Sequence, residues 1–178
     1  MITVRRLTTV TDAQIHELAL VLIDCVEGGA SVSFMLPLSL EKATTFWRQV
    51  ARDVAANARA LLIAEDSTGI VGTVQLVFAQ SENQPHRADI SKLLVHSRAR
   101  RLGIGEALMH EAEHVARECG RTLLVLDTAS GDAERLYARH GWQRCGEIPG
   151  YALYPDGRPC ATTIFFKSLA RQELPAAR

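Results

Sequence analysis

The sequence predicts a single α/β domain, with a mixed central sheet of about six to seven strands and four helices around it. Three observations carry that expectation. The 178 residues suit one buried core and are short for two. Hydrophobic residues make up 47% of the chain and charged residues 22%, proportions that exclude a disordered or collagen-like polypeptide. Helical and strand periodicities alternate along the chain with no repeat, linker or break in composition. The domain is expected to span residues 1–169, leaving 170–178 as a frayed tail.

Taken in order, Ile2 to Leu7 reads as a short strand. Thr11-Asp12-Ala13-Gln14 has the form of a capping box, and Ile15, Leu18, Ala19, Leu22 and Val26 follow at helical spacing until Gly28-Gly29. Residues Glu27 to Met35 form a glycine-containing loop, and a second helix starts near Ser39 and carries Phe46, Trp47, Val50 and Val54. Ala60–Glu65 and Ile70–Ala79 are apolar runs either side of Asp66-Ser67-Thr68-Gly69, a hairpin signal. Arg87 to His96 reads as a strand, Gly103 to Cys119 as a helix, Thr122 to Asp127 as a buried strand and Asp132 to His140 as a shorter helix stopped by Gly141. Two strands, near Gln143–Ile148 and Ala161–Ser168, flank a turn at Pro155-Asp156-Gly157.

Charge narrows the function classes. Twenty basic residues balance twenty acidic ones, so the basic excess of a nonspecific nucleic-acid binder is missing. The longest uncharged stretch, Ser67 to Ser81, is interrupted by Gly69, Gly72 and polar residues, so no membrane span is expected. Met1 to Arg6 lacks the apolar core of a secretory signal. Cys25, Cys119, Cys145 and Cys160 show no Cys-x-x-Cys spacing, which speaks against zinc clusters and a disulfide framework. A cytoplasmic protein with cysteines as small hydrophobes is expected.

The chemistry concentrates in Lys92-Leu93-Leu94-Val95-His96-Ser97-Arg98-Ala99-Arg100-Arg101-Leu102-Gly103-Ile104-Gly105. Here a strand runs into a glycine turn that opens a helix. Gly103 and Gly105 let an anion approach the backbone, and the first helical N–H groups, with no intrahelical partner, point toward it. A phosphate or pyrophosphate site follows from that geometry. The third glycine of a dinucleotide fingerprint is replaced by Leu108, and no Gly-Lys-Ser/Thr of a Walker loop is present.

What remains, Arg100-x-x-Gly103-x-Gly105 preceded by Leu93-x-Val95, resembles the coenzyme A pyrophosphate loop of the Gcn5-related N-acetyltransferase (GNAT) family. Asp127 to Trp142 is similar to the same family's fifth strand, following helix and closing Gly-aromatic pair. The resemblance implies a sheet splayed between its fourth and fifth strands and acetyl-CoA as cosubstrate, with no metal. It implies that Leu93, Val95, Arg100, Arg101, Leu102, Gly103, Ile104 and Gly105 hold the cosubstrate, with Ser130 standing where the family often has Asn. Tyr137 occupies the place of the family's catalytic tyrosine, and the Val95 N–H that of its oxyanion donor. Gly28 to Met35, Arg87-Ala88-Asp89, Leu126-Asp127-Thr128, Pro149-Gly150-Tyr151 and Pro155 to Arg158 are also similar to segments of the tabtoxin-resistance acetyltransferases, which acetylate a small amino-acid-like toxin.

Amine acetylation needs a neutral amine, a polarised carbonyl and a proton for the leaving thiolate. Asp89 and Asp127, on strands flanking the cleft, are each candidate bases, and Tyr137 is the candidate acid. For the acceptor, Phe34 and Tyr151 are expected to wall the pocket and Ser31 or Arg158 to hold a carboxylate. The expected partner is a small polar amine, such as an amino-acid-like toxin or an antibiotic, with neither nucleic acid nor membrane; a homodimer is compatible with this reading. A non-catalytic acyl-CoA-binding module and a protein or peptide acetyltransferase are the alternatives. His110-Glu111-Ala112-Glu113-His114 matches the zinc-protease pattern, but both histidines project from the side opposite the apolar stripe of Ile104, Leu108, Ala112 and Val115. They are expected to be solvated, and His16, His86, His96 and His140 to be scattered over the surface.

Overall fold

The computed structural model describes residues 2–169; the expected frayed tail, 170–178, lies outside them. Strands β1 (Thr3–Leu7), β2 (Arg59–Asp66), β3 (Gly69–Phe78), β4 (Arg87–Val95), β5 (Leu123–Thr128), β6 (Gln143–Leu153) and β7 (Pro159–Ser168) form one sheet in the order β1-β2-β3-β4-β5-β7-β6. Helices α1 (Asp12–Glu27) and α2 (Leu40–Ala55) cover one face, while α3 (Ile104–Glu118) and α4 (Gly131–Arg139) serve the other. Every neighbouring pair is antiparallel except β4–β5.

Local chemistry sets the helix ends. Thr11 Oγ1 accepts from the Gln14 N–H at 3.3 Å while Gln14 Oε1 accepts from the Thr11 N–H at 3.0 Å, the reciprocal pair expected of a capping box. Ser39 caps α2 in the same way through the Lys42 N–H. β2 and β3 read as mainly apolar runs, broken in β3 by the buried Thr73 and Gln75, because both their faces are covered. In β2, Ala60, Leu62 and Ala64 pack toward α3, and Leu61 and Ile63 pack among Leu18, Leu22 and Trp47 of α1 and α2. Among the described residues, no helix is long and apolar enough to cross a membrane.

One departure from regularity positions the site. Thr73 pairs with Leu94 and Gln75 with Ser91, so β4 carries one residue more than β3 across this interval. The bulge includes Lys92, whose φ of 52° lies in the left-handed region. Before it, Ala88 and Ile90 face the α3 core; after it, Leu94 faces the α1–α2 core while Leu93 and Val95 turn to α3. The parity of the strand has switched. The parallel ladder to β5 joins only Arg87–Asp89 to Leu123–Val125, and beyond it the two strands part.

Candidate active site

The divergence of β4 and β5 opens a cleft of about 1010 Å³ between residues Ile90–Val95 on one side and Leu126–Ser130 on the other. Its edge on β4 is polar backbone. The His96 N–H is bonded to Val71 O at 2.9 Å on the β3 side, so the Val95 N–H, one residue back, points to the open side. The Val95 carbonyl, on the same side, accepts from Arg100 Nε at 3.2 Å.

At one end of this cleft lies the N-terminus of α3. Gly103 is its cap residue, with φ 77° and no side chain to bond the first N–H groups. A Cβ on Gly103 would meet nothing within 4 Å, and one on Gly105 would meet only Leu136 Cδ2 at 3.7 Å. The space these glycines leave is therefore not required by the protein's own packing. Open space at a helix N-terminus suits an anion, and Arg100 and Arg101 share its lining. Gly72 is different: a Cβ there would come within 3.1 Å of both Ile104 and Leu108, so its bareness lets α3 sit close to the sheet.

The loop before α3 is anchored to α1. Asp24 accepts from both the N–H (2.7 Å) and the hydroxyl (2.6 Å) of Ser97 and lies 4.0 Å from the Arg100 guanidinium. Burial acts to raise its carboxyl, but the Ser97 hydrogen bonds outweigh that and hold it below its usual value. Beside it, the Cys25 thiol is pushed up by burial against the pull of Arg100. It stays a thiol next to the cleft, which spares the site a competing nucleophile.

Across the cleft, Tyr137 of α4 packs its ring 5.8 Å from Trp142 and 5.7 Å from Phe165 while lining the cavity. Burial, with the nearby charge of Asp127, raises its phenol well above the ordinary value, so it keeps its proton. Asp127, at the exposed end of β5, accepts from Thr162 Oγ1 at 3.0 Å. It also lines a second cavity of about 290 Å³, walled by Phe34, Met35, Tyr151 and Thr162, which shares Ser31, Ser33, Asp127 and Ala129 with the first. Ser130 caps α4 by accepting from the Ala133 N–H at 3.4 Å and lines the larger cavity.

Not every residue singled out in the sequence comes to the cleft. Asp89 sits at its closed end, where β4 and β5 still pair, and forms an ion pair with Arg87 at 2.8 Å outside the lining. Its carboxyl is raised, chiefly by burial, with Arg87 opposing and Asp127 adding. Leu102 lies outside the lining and is 65% exposed. Arg158 belongs to neither cavity, because it pairs with Asp156 at 2.7 Å over the Tyr154 ring. Lys92, which the sequence reading missed, lines the large cleft. Its ammonium reaches Ser33 Oγ at 3.1 Å and faces the cleft from the bulge. Burial depresses its pKa, Asp127 opposes and Arg59 adds to the fall. The signal was available: Lys92 is the one charged residue between Ile90 and Val95. The histidines also need correction. His140 is not isolated on the surface; its ring stacks edge-on against His110 with centroids 4.9 Å apart. His114 is exposed, as expected.

Comparisons with known proteins bear on the whole assembly. A sequence model described as the acetyltransferase (GNAT) family matches residues 33–142. An uncharacterized N-acetyltransferase from the hisH–hisA intergenic region of Azospirillum brasilense is 28% identical over 128 residues, 71% of this chain and 74% of that protein. A ribosomal-protein-alanine N-acetyltransferase from Brucella melitensis superposes with a TM-score of 0.77 at 25% identity, covering 94% of this chain and 99% of that one. A GNAT superfamily phosphinothricin acetyltransferase from Sinorhizobium meliloti, solved in complex with acetyl-CoA, gives 0.79 at 18% identity, over 99% of this chain and 92% of that one.

Proposed function

The chain belongs to the acetyltransferase (GNAT) family, and from that premise we propose that it moves an acetyl group from acetyl-CoA to the free amine of a small polar molecule, amino-acid-like or an antibiotic. The observation that carries the proposal is the position of Asp127, common to the large cleft and the smaller cavity. It is there that an acyl donor in one and an amine in the other would meet.

Acetyl-CoA supplies an activated acyl group on a thioester. Its pyrophosphate fits the cradle of Gly103 and Gly105 with Arg100 and Arg101, and Leu93, Val95, Ile104 and Ser130 line the path of its arm. Leu102 has no part in that path beyond its backbone. The Val95 N–H is the donor suited to the acyl oxygen as negative charge develops there. Asp127 takes the proton from the attacking amine, directly or through water, while the C–N bond forms and the C–S bond breaks. Tyr137 gives its phenolic proton to the departing sulfur and regains one from solvent. A phenol held protonated by burial suits that role. The transfer needs no metal, because proton movement and N–H donors meet each requirement.

The smaller cavity has room for a small molecule between Phe34 and Tyr151, with Ser31 at its junction with the cleft. Lys92 replaces Arg158 as the cation for an acceptor carboxylate. The free cysteines Cys25, Cys119, Cys145 and Cys160 fit a reducing cytoplasmic setting. A second reading, a protein or peptide amine as acceptor, is favoured by the similarity to the Brucella enzyme.

The test is release of CoA thiol from acetyl-CoA with free amino acids, aminoglycosides and short peptides. The highest kcat/KM is expected with a small carboxylate-bearing amine. A peptide far above every small amine would select the second reading. Binding of acetyl-CoA without thiol release to any amine would make the chain a binding module.

A further inference from the structure

We propose that Glu106, His110 and His140 form a site for one divalent transition-metal ion of the zinc class, bridging α3 to α4. Glu106 and His110 lie one turn apart on α3, and His140 is the C-terminal cap residue of α4. Glu106 Oε1 stands 3.8 Å from His110 Nε2 and 3.5 Å from His140 Nε2, and one donor atom from each residue lies within 4.8 Å of the other two. Ligands about 2.0–2.2 Å from a tetrahedral zinc are roughly 3.3 Å from one another. The two measured separations exceed that by only a few tenths of an ångström.

The three ligands differ in freedom, and the difference favours binding. The His140 side chain is 17% exposed, and its backbone carbonyl accepts from Lys167 Nζ at 2.6 Å, so its position is set by the fold. Glu106 and His110 are 50% and 63% exposed and can rotate the remaining distance. Two imidazole nitrogens and one carboxylate oxygen are a borderline-soft donor set, suited to zinc rather than to magnesium or calcium. Three protein ligands leave a fourth position for water. No other such group of His, Cys, Asp and Glu is found among the described residues.

The site is distinct from the His-Glu-x-x-His pattern it overlaps. His114 turns to Glu118 at 3.3 Å and takes no part. Glu106 also lines the large cleft, but the acetyl transfer needs no metal. What the ion would do is tie the first turn of α3, beside the anion cradle, to the end of the helix that carries Tyr137.

The experiment is titration of the untagged, metal-free chain with Zn²⁺ by calorimetry, repeated with Co²⁺ by visible absorption. One ion per chain is expected, with a Kd on the order of micromolar, and a Co²⁺ band of tetrahedral intensity. His110→Ala and His140→Ala should each weaken Zn²⁺ by more than about 100-fold, beyond the usual cost of an outer-shell change, and abolish the band. His114→Ala should leave both unchanged. His110 is exposed, so its variant keeps the test sound even if His140→Ala disturbs α4. No binding at one equivalent, or equal binding by His110→Ala and the parent, would overturn the proposal, as would loss of binding in His114→Ala.

Discussion

Thr162 of β7 donates a hydrogen bond to Asp127 at the parted end of β5, across 3.0 Å. The threonine is 2% exposed and the aspartate is exposed to the cleft. A buried hydroxyl thus orients a solvated carboxylate, occupying Oδ2 and leaving Oδ1 for an incoming amine.

Asp127→Asn should therefore lower kcat/KM by about 10²–10⁴-fold, the usual contribution of a general base. Asp89→Asn should change it only a few-fold, because Asp89 is engaged with Arg87 outside the cleft. Steady-state thiol release measures both. Equal losses in the two variants would remove Asp127 from its role.

Tyr137→Phe should cost about 10²–10⁴-fold in kcat and leave the Kd for acetyl-CoA unchanged. The ring still packs against Trp142 and Phe165, so folding is not at issue. Calorimetric binding with single-turnover kinetics separates the two quantities. Parent-like turnover would make Tyr137 a core residue only.

The same tyrosine makes a prediction about pH. Its folded pKa lies above the ordinary 10.0. Below that value both folded and unfolded chains keep the phenolic proton, and Tyr137 contributes no pH dependence. Above it the unfolded chain loses a proton that the folded chain retains, so stability falls as pH rises. Urea unfolding at pH 8 and pH 10.5 should show a smaller fall in Tyr137→Phe than in the parent. Identical falls would contradict the burial of the phenol.

Gly105→Glu should abolish acetyl-CoA binding, by filling the space and placing a negative charge where we propose the pyrophosphate sits. A Cβ at this position meets only Leu136, at ordinary contact distance, so the backbone should accept the substitution. Arg101→Ala should weaken binding modestly. Unchanged affinity in Gly105→Glu would displace the cosubstrate from this loop.

The helices and most strands were legible because caps and periodicity are local. Thr11 and Ser39 announce helix starts within a few residues, and α1 ends before Gly28 as its glycine pair suggests. β6 was longer than its pattern, running to Leu153, because its side chains alternate poorly and most are exposed. The glycine turn that opens α3 was legible as well, since it is carried by backbone and by glycines close in sequence. Side chains brought together from distant segments were not. Arg158 looked free in the sequence, yet its own turn supplies Asp156 as a partner. His140 lies thirty residues from His110 (140 − 110), and no periodicity links them. Lys92 carried a signal in its charge, but only the bulge explains how a β4 residue reaches Ser33 in the α1–α2 loop.

That bulge gives chain length in β4 a meaning of its own. Most strands tolerate exchange of side chains better than a change in residue count, and here the count decides which core each residue serves. Pairing every residue of β4 in strict alternation, with Lys92 kept, would turn Leu93 and Val95 toward α1 and Leu94 toward α3. The Val95 amide would then point toward β3 rather than into the gap. The extra residue, which β3 leaves without a partner, thus sets the address of every residue that follows it.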